Sequence, residues 1–131
     1  MNVTEPSIAP WLTVPDGAAA LDFYQNAFGA RVAYRLAGIE PDVVARLAIG
    51  SAEFWISDGT AGDANSRLGG GSVRMVLTVT DPEPMFARAL AAGATQVFPV
   101  GVAHGWKLGR LTDPFGLDWE IGHLLEAEER G

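Results

Sequence analysis

Asp118 and Glu120 alternate with Trp119 and Ile121, directly after an Asp113-Pro114-Phe115-Gly116 turn. On a strand, this spacing sends both carboxylates to one face and both apolar side chains to the other. Pro presets φ near −65° early in a turn, and Gly allows positive φ later in it. A carboxylate opposite a packed Trp can line a pocket and serve proton transfer or cation binding there. The same hairpin on a plain surface carries two solvated acids, and the stretch alone leaves both readings open. The chain has no cysteine, so it forms neither a disulfide nor a thiolate metal site.

The elements that position these groups read as two similar halves. Residues 1–7 form a polar arm. Ile8 to Val14 alternates as a strand whose two prolines suit an edge. Asp16 caps a helix over Gly17 to Phe28, with Ala20, Leu21, Tyr24, Ala27 and Phe28 on one stripe and Gly29 closing it. Strands follow at Ala30–Leu36, Val43–Ile49 and Ala52–Ser57. The Gly-rich stretch 58–72 reads as a linker, or less commonly a lid. Leu77-Thr78-Val79-Thr80-Asp81 then repeats Leu12-Thr13-Val14-Pro15-Asp16 at an offset of 65. Pro82 opens a second helix with Met85, Phe86, Ala89 and Leu90 buried. Thr95–Val100, Trp106–Thr112 and Leu117–Ile121 supply three more strands. Trp119 matches Trp55 at an offset of 64. The expected class is α+β, with βαβββ modules at 8–57 and 73–122 derived from a duplication and packed as one domain. Residues 123–131 read as a short acidic helical tail.

Each module should curl its strands around a helix on one side and leave a concave face on the other. The alternation places Leu12, Val14, Trp55, Met75, Leu77, Val79, Trp119 and Ile121 under the helices. It places Ala9, Trp11, Thr13, Phe54, Ile56, Arg74, Val76, Thr78, Asp118 and Glu120 in a cup. A mostly apolar cavity with a few polar groups suits a small molecule.

The composition is 48% hydrophobic and 19% charged, which is that of a globular chain rather than a disordered one. The net charge of −7 argues against nucleic acid, which needs clustered Lys and Arg. No apolar run reaches the roughly 20 residues of a membrane span, and no signal peptide is evident, so a cytoplasmic protein is expected.

The paired modules, Phe23-Tyr24…Phe28-Gly29-Ala30, and Asp113-Pro114-Phe115-Gly116…Trp119-Glu120 resemble the vicinal oxygen chelate superfamily. That superfamily holds glyoxalase I, bleomycin resistance proteins, fosfomycin-inactivating transferases and extradiol dioxygenases. Gly50, His104-Gly105-Trp106 and Gly109-Arg110 are similar to its PhnB-like branch. The resemblance implies a cup-shaped cavity and usually a homodimer, with the cup inside one chain or between two. Metal enzymes of the superfamily take a His, Gln or Glu from the first strand of each module and a carboxylate from the last. Carried over, those positions are Ala9, Ile56, Arg74 and Glu120, and only Glu120 is a metal donor. Ala and Ile have no lone pair, and Arg is a permanent cation. A catalytic metal needs about three protein ligands, so no metal or other cofactor is expected. His104 and His123 match none of the four positions, and a rearranged site built on them has no motif behind it.

Without a metal, Arg74 and Glu120 can face each other across the cup, orienting a ligand or forming a salt bridge that fixes the modules. Glu120 is the best candidate for any catalytic role. Trp11, Phe54, Ile56, Arg74, Trp106, Asp118 and Glu120 are the expected ligand-binding residues, for an aromatic or cationic molecule. Lys107 and Arg110 read as surface cations, the second reading being that one of them reaches an anionic ligand. The leading function is metal-independent binding or sequestration. The alternatives are a metal-dependent lyase, isomerase or transferase, and an interaction protein whose cup is filled by its own side chains.

Overall fold

The structure, a computed structural model, describes residues 5–59 and 71–126. The expected 58–72 linker therefore falls largely outside the described residues, as do residues 1–4 of the arm and the end of the tail.

The elements run β1 (Trp11–Val14), α1 (Gly17–Phe28), β2 (Arg31–Arg35), β3 (Val44–Ile49), β4 (Ala52–Asp58), β5 (Arg74–Thr78), α2 (Pro82–Ala91), β6 (Thr95–Ala103), β7 (Trp106–Thr112) and β8 (Asp118–Leu124). They form two four-stranded sheets, ordered β1-β4-β3-β2 and β5-β8-β7-β6. In each, the first and last strands of a module pair in parallel and the others are antiparallel. This is the α+β, duplicated βαβββ architecture that the sequence predicts. His123 and Leu124 extend β8, so the tail does not begin as a helix.

Local chemistry sets the helix limits. The Asp16 carboxylate accepts the Ala19 N–H at 3.0 Å, and Gly29 closes α1 in the left-handed conformation at φ 67°. Asp81 caps α2 by accepting the Glu83 N–H at 3.3 Å, with Pro82 at the first position. Asp58 anchors the start of α1 from β4, accepting the Gly17 N–H at 2.7 Å and the Val43 N–H at 2.5 Å. A Cβ on Gly17 would lie 2.7 Å from the Val43 Cβ and 2.8 Å from an Asp58 oxygen, so only glycine fits.

The modules join through their helix layers. Phe23, outside the expected stripe, is buried and meets the Phe115 ring edge-on at 6.1 Å. Thus α1 has two buried sides, one against its own sheet and one against the second module. Tyr24 is fully buried, and its hydroxyl donates to Asp113 at 2.5 Å. Asp113 also accepts from the Trp119 indole at 2.9 Å, the Phe115 N–H at 2.9 Å and the Leu117 N–H at 3.0 Å. Burial pushes the Asp113 carboxyl up, against the pull of these donors. Burial, and then the charge of Asp113, push the Tyr24 hydroxyl well above its ordinary value.

The strand faces follow the expected alternation except in β4. Phe54 is 3% exposed and Ile56 fully buried; both pack in the core under the helices, with Phe54 5.2 Å from the Tyr24 ring. Neither lines a cup. Trp55 takes the opposite face. The pairing of β1 with β4 decides this, because it sets Trp11 beside Trp55 and Leu12 beside Ile56. In the second module Val76 pairs with Glu120 and Leu77 with Ile121. The first and last strands therefore repeat at an offset of 65 throughout (12 to 77, and 56 to 121). The repeat of Glu120 is Trp55, and the match of Trp55 with Trp119 was one of residue type only.

Two outcomes are expected in urea titrations. Gly17→Ala lowers stability by about 1–3 kcal/mol through crowding of Val43 and Asp58. Asp113→Ala costs on the order of 3 kcal/mol by orphaning buried donors. Because the folded state raises the Asp113 pKa, its contribution is complete below the unfolded value of about 3.9 and is lost as pH rises through the folded value. The margin of wild type over Asp113→Asn should shrink as pH rises across that window. A margin that widens would show that the four donors outweigh burial.

Candidate functional site

The face of each sheet turned away from the helices, here the open face, carries one cross-strand row. In the first sheet the row is Tyr34, Arg46, Trp55 and Trp11. In the second it is Phe98, Arg110, Glu120 and Val76. The outer positions match at an offset of 64 (34 to 98, and 46 to 110), the inner ones at 65 (55 to 120, and 11 to 76). The second module has one residue more between its last two strands. Each outer strand also carries an irregularity at the same place, between Val32 and Tyr34 and between Gln96 and Phe98. Such a bulge re-aims the next side chain, and here it delivers Tyr34 and Phe98 to the arginines.

The first row is an aromatic shelf. Trp11 stacks on Trp55 with centroids 5.3 Å apart and planes 12° apart. Its indole N–H donates to the Ser57 hydroxyl at 2.9 Å, which fixes the ring's rotation. Trp11 remains 53% exposed. Tyr34 meets Trp55 edge-on at 5.9 Å, and the Arg46 guanidinium lies 5.5 Å from the Trp55 centroid. Glu53 holds Arg46 from the same face at 3.2 Å.

The second row is charged. Glu120 Oε1 receives Arg74 Nε at 2.9 Å and Arg110 Nη2 at 2.6 Å. The expected Arg74–Glu120 pair thus forms, but between neighbouring strands of one sheet rather than across the two modules. Arg110 also lies 5.2 Å from the Phe98 centroid. Asp118 is on the same face and accepts the Thr112 hydroxyl at 2.8 Å. Trp106 and Leu108 share the Arg110 side of β7, and Gly122 leaves room for both: a Cβ there would lie 2.8 Å from Leu108 and 3.5 Å from Trp106. Lys107 points the other way, to Glu83 of α2 at 3.6 Å.

Sequence reasoning brought Trp11, Arg74, Trp106, Asp118 and Glu120 to the open faces. It missed Tyr34, Arg46 and Trp55, and treated Arg110 as a surface cation. The signal for Trp55 was present, since parallel pairing with β1 puts it beside Trp11. Arg110 depended on hairpin register, which single-strand alternation does not reveal.

The donors do not fit a divalent ion. With the register corrected, the positions that hold metal in the superfamily are Ala9, Trp55, Arg74 and Glu120. Two have no donor, one is a cation, and the last gives one oxygen to two guanidiniums. His123 lies on the opposite face of β8 from Glu120, with Nδ1 3.1 Å from the Val79 carbonyl. His104 sits in the β6–β7 turn at φ 54°. Among the described residues, no group of three or more His, Cys, Asp or Glu is placed to hold a metal ion.

Comparison with known proteins agrees with this architecture. An uncharacterized Mycobacterium tuberculosis protein, Rv0887c, is 37% identical over 126 residues, covering 90% of this chain and 74% of that protein. Among solved structures, TioX from Micromonospora sp. ML1 superposes with a TM-score of 0.73 at 23% identity, over 92% of this chain and 100% of that one. The Listeria monocytogenes fosfomycin resistance protein FosX, solved as an E126Q mutant with Mn(II) and dihydroxypropylphosphonic acid, gives 0.71 at 18% identity, over 98% and 96%. These two likenesses are of fold. Residues 11–121 match the family model for the glyoxalase-like domain, so with its duplicated modules and their paired open faces the chain belongs to the glyoxalase-like domain family.

Proposed function

We propose that this protein binds a small aromatic molecule against its open faces and holds it without a metal. The observation that carries the reading is the Trp11–Trp55 stack. A tryptophan fixed by a parallel ring below and a hydroxyl at its edge still presents its outer surface to solvent. A preset flat apolar surface binds a planar ring at low entropic cost. A cationic ligand has less support, because Glu53 and Glu120 are already paired with arginines.

The open faces favour a homodimer that closes the cup. Trp11, Val76 and Phe98 are 53%, 58% and 37% exposed in the single chain. A second copy laid sheet against sheet would cover them and bring an aromatic row opposite a charged one. The metal-dependent reading, suggested by the Mn(II) of FosX, lacks support from the donor set described above.

Titration of the purified protein with a panel of planar aromatic compounds should give saturable quenching of tryptophan fluorescence. Trp11→Ala should weaken binding by about tenfold, read calorimetrically. Failure of the whole panel to bind would sink the reading, as would full affinity in Trp11→Ala. Protein purified without chelator or affinity metal should contain well under one divalent ion per chain. A stoichiometric ion lost on Glu120→Ala substitution would restore the metal-dependent alternative.

A further inference from the structure

The aromatic shelf has a polar edge. The Trp11 indole aims its N–H at the next rung of the β1–β4 ladder, where Thr13 stands opposite Ser57 on the same face. Ser57 is 9% exposed, and its hydroxyl accepts that N–H at 2.9 Å. A hydroxyl also carries one proton to donate. Among the described residues, neither the Ser57 proton nor the half-buried Thr13 hydroxyl meets an acceptor. Leaving such a donor unmet costs free energy that an acceptor would recover.

No unbalanced charge adjoins this rung. Val44 flanks Ser57 on β3, and Arg46, one rung away, is held by Glu53. Asp58 turns to the helix side, where it accepts the Gly17 and Val43 N–H groups. The group that these hydroxyls suit is therefore a neutral acceptor, such as a carbonyl oxygen with its two lone pairs.

The duplication ties the hydroxyl pair to the shelf. At an offset of 65 the rung becomes Thr78 beside Gly122. At the same offset Trp11 becomes Val76 and Trp55 becomes Glu120. The second module keeps the threonine and lacks the serine together with both tryptophans. Reach is adequate, since Trp11 and Thr13 are one same-face interval apart, about 7 Å. A bicyclic ring laid on the outer surface of Trp11 brings a carbonyl at its end over Thr13 and Ser57.

We propose that the first open face selects neutral planar rings that carry a carbonyl, with the ring on Trp11 and the oxygen on the Thr13 and Ser57 hydroxyls. This names the ligand class for the binding reading above and rests on it. The test compares coumarin with naphthalene, fused bicycles with and without a carbonyl, by equilibrium dialysis against the full chain. The readout is the ratio of the two affinities, which cancels any effect that only loosens the Trp11 ring. Ser57→Ala and Thr13→Val should each lower the coumarin-to-naphthalene ratio by about fivefold. Thr13→Val, which keeps the side-chain shape and leaves the indole bond intact, should bind naphthalene as wild type does. A ratio unchanged in either variant would overturn the proposal and leave aromatic binding standing. Equal loss of both ligands in the variants would do the same. Naphthalene binding without coumarin binding would overturn it too, as would binding of neither by a protein that binds other planar aromatics. Failure of every planar compound would instead remove the binding reading itself, and this proposal with it.

Discussion

A single buried carboxylate holds the two modules in register. Asp113 gathers the Tyr24 hydroxyl of the first module, the Trp119 indole of the second, and two backbone N–H groups of its own turn. A buried acid is tolerated only when its lone pairs are met, and here four donors meet them. Around it Tyr24, Phe28, Phe54, Phe115 and Trp119 pack ring to ring. This junction consumes the helix sides of both sheets and leaves their other sides open.

The duplication explains why those other sides differ. The backbone repeats faithfully, down to the irregularity in each outer strand that turns Tyr34 and Phe98 toward an arginine. The side chains at the inner positions have diverged. Trp55 and Trp11 make one face a flat aromatic shelf, while Glu120 and Arg74 make the other an ion cluster. The two faces no longer offer the matched donors that a shared metal would require.

Much of this was legible in the sequence because local rules dominate locally. Asp16 and Gly29 bracket α1, and Asp81-Pro82 opens α2, through backbone hydrogen bonds that no distant contact overrides. The limits appear where register enters. Trp55 resembles Trp119 in type, but its neighbour across the ladder is Trp11, which sends Phe54 and Ile56 into the core. Arg110 meets Glu120 only because the intervening turn has the length it has. Phe23 escaped the helical stripe because α1 is buried on two sides, a fact about the partner module rather than the helix.

The proposed binding belongs to the open faces, with the helix layer as their support. The most direct measurement is a ¹H–¹⁵N spectrum of the four tryptophan indole groups during titration with an aromatic ligand. The Trp11 and Trp106 signals should shift with saturation, while Trp119, bonded to Asp113, stays in place. A shift confined to Trp119, or four signals that do not move at saturating ligand, would contradict the account.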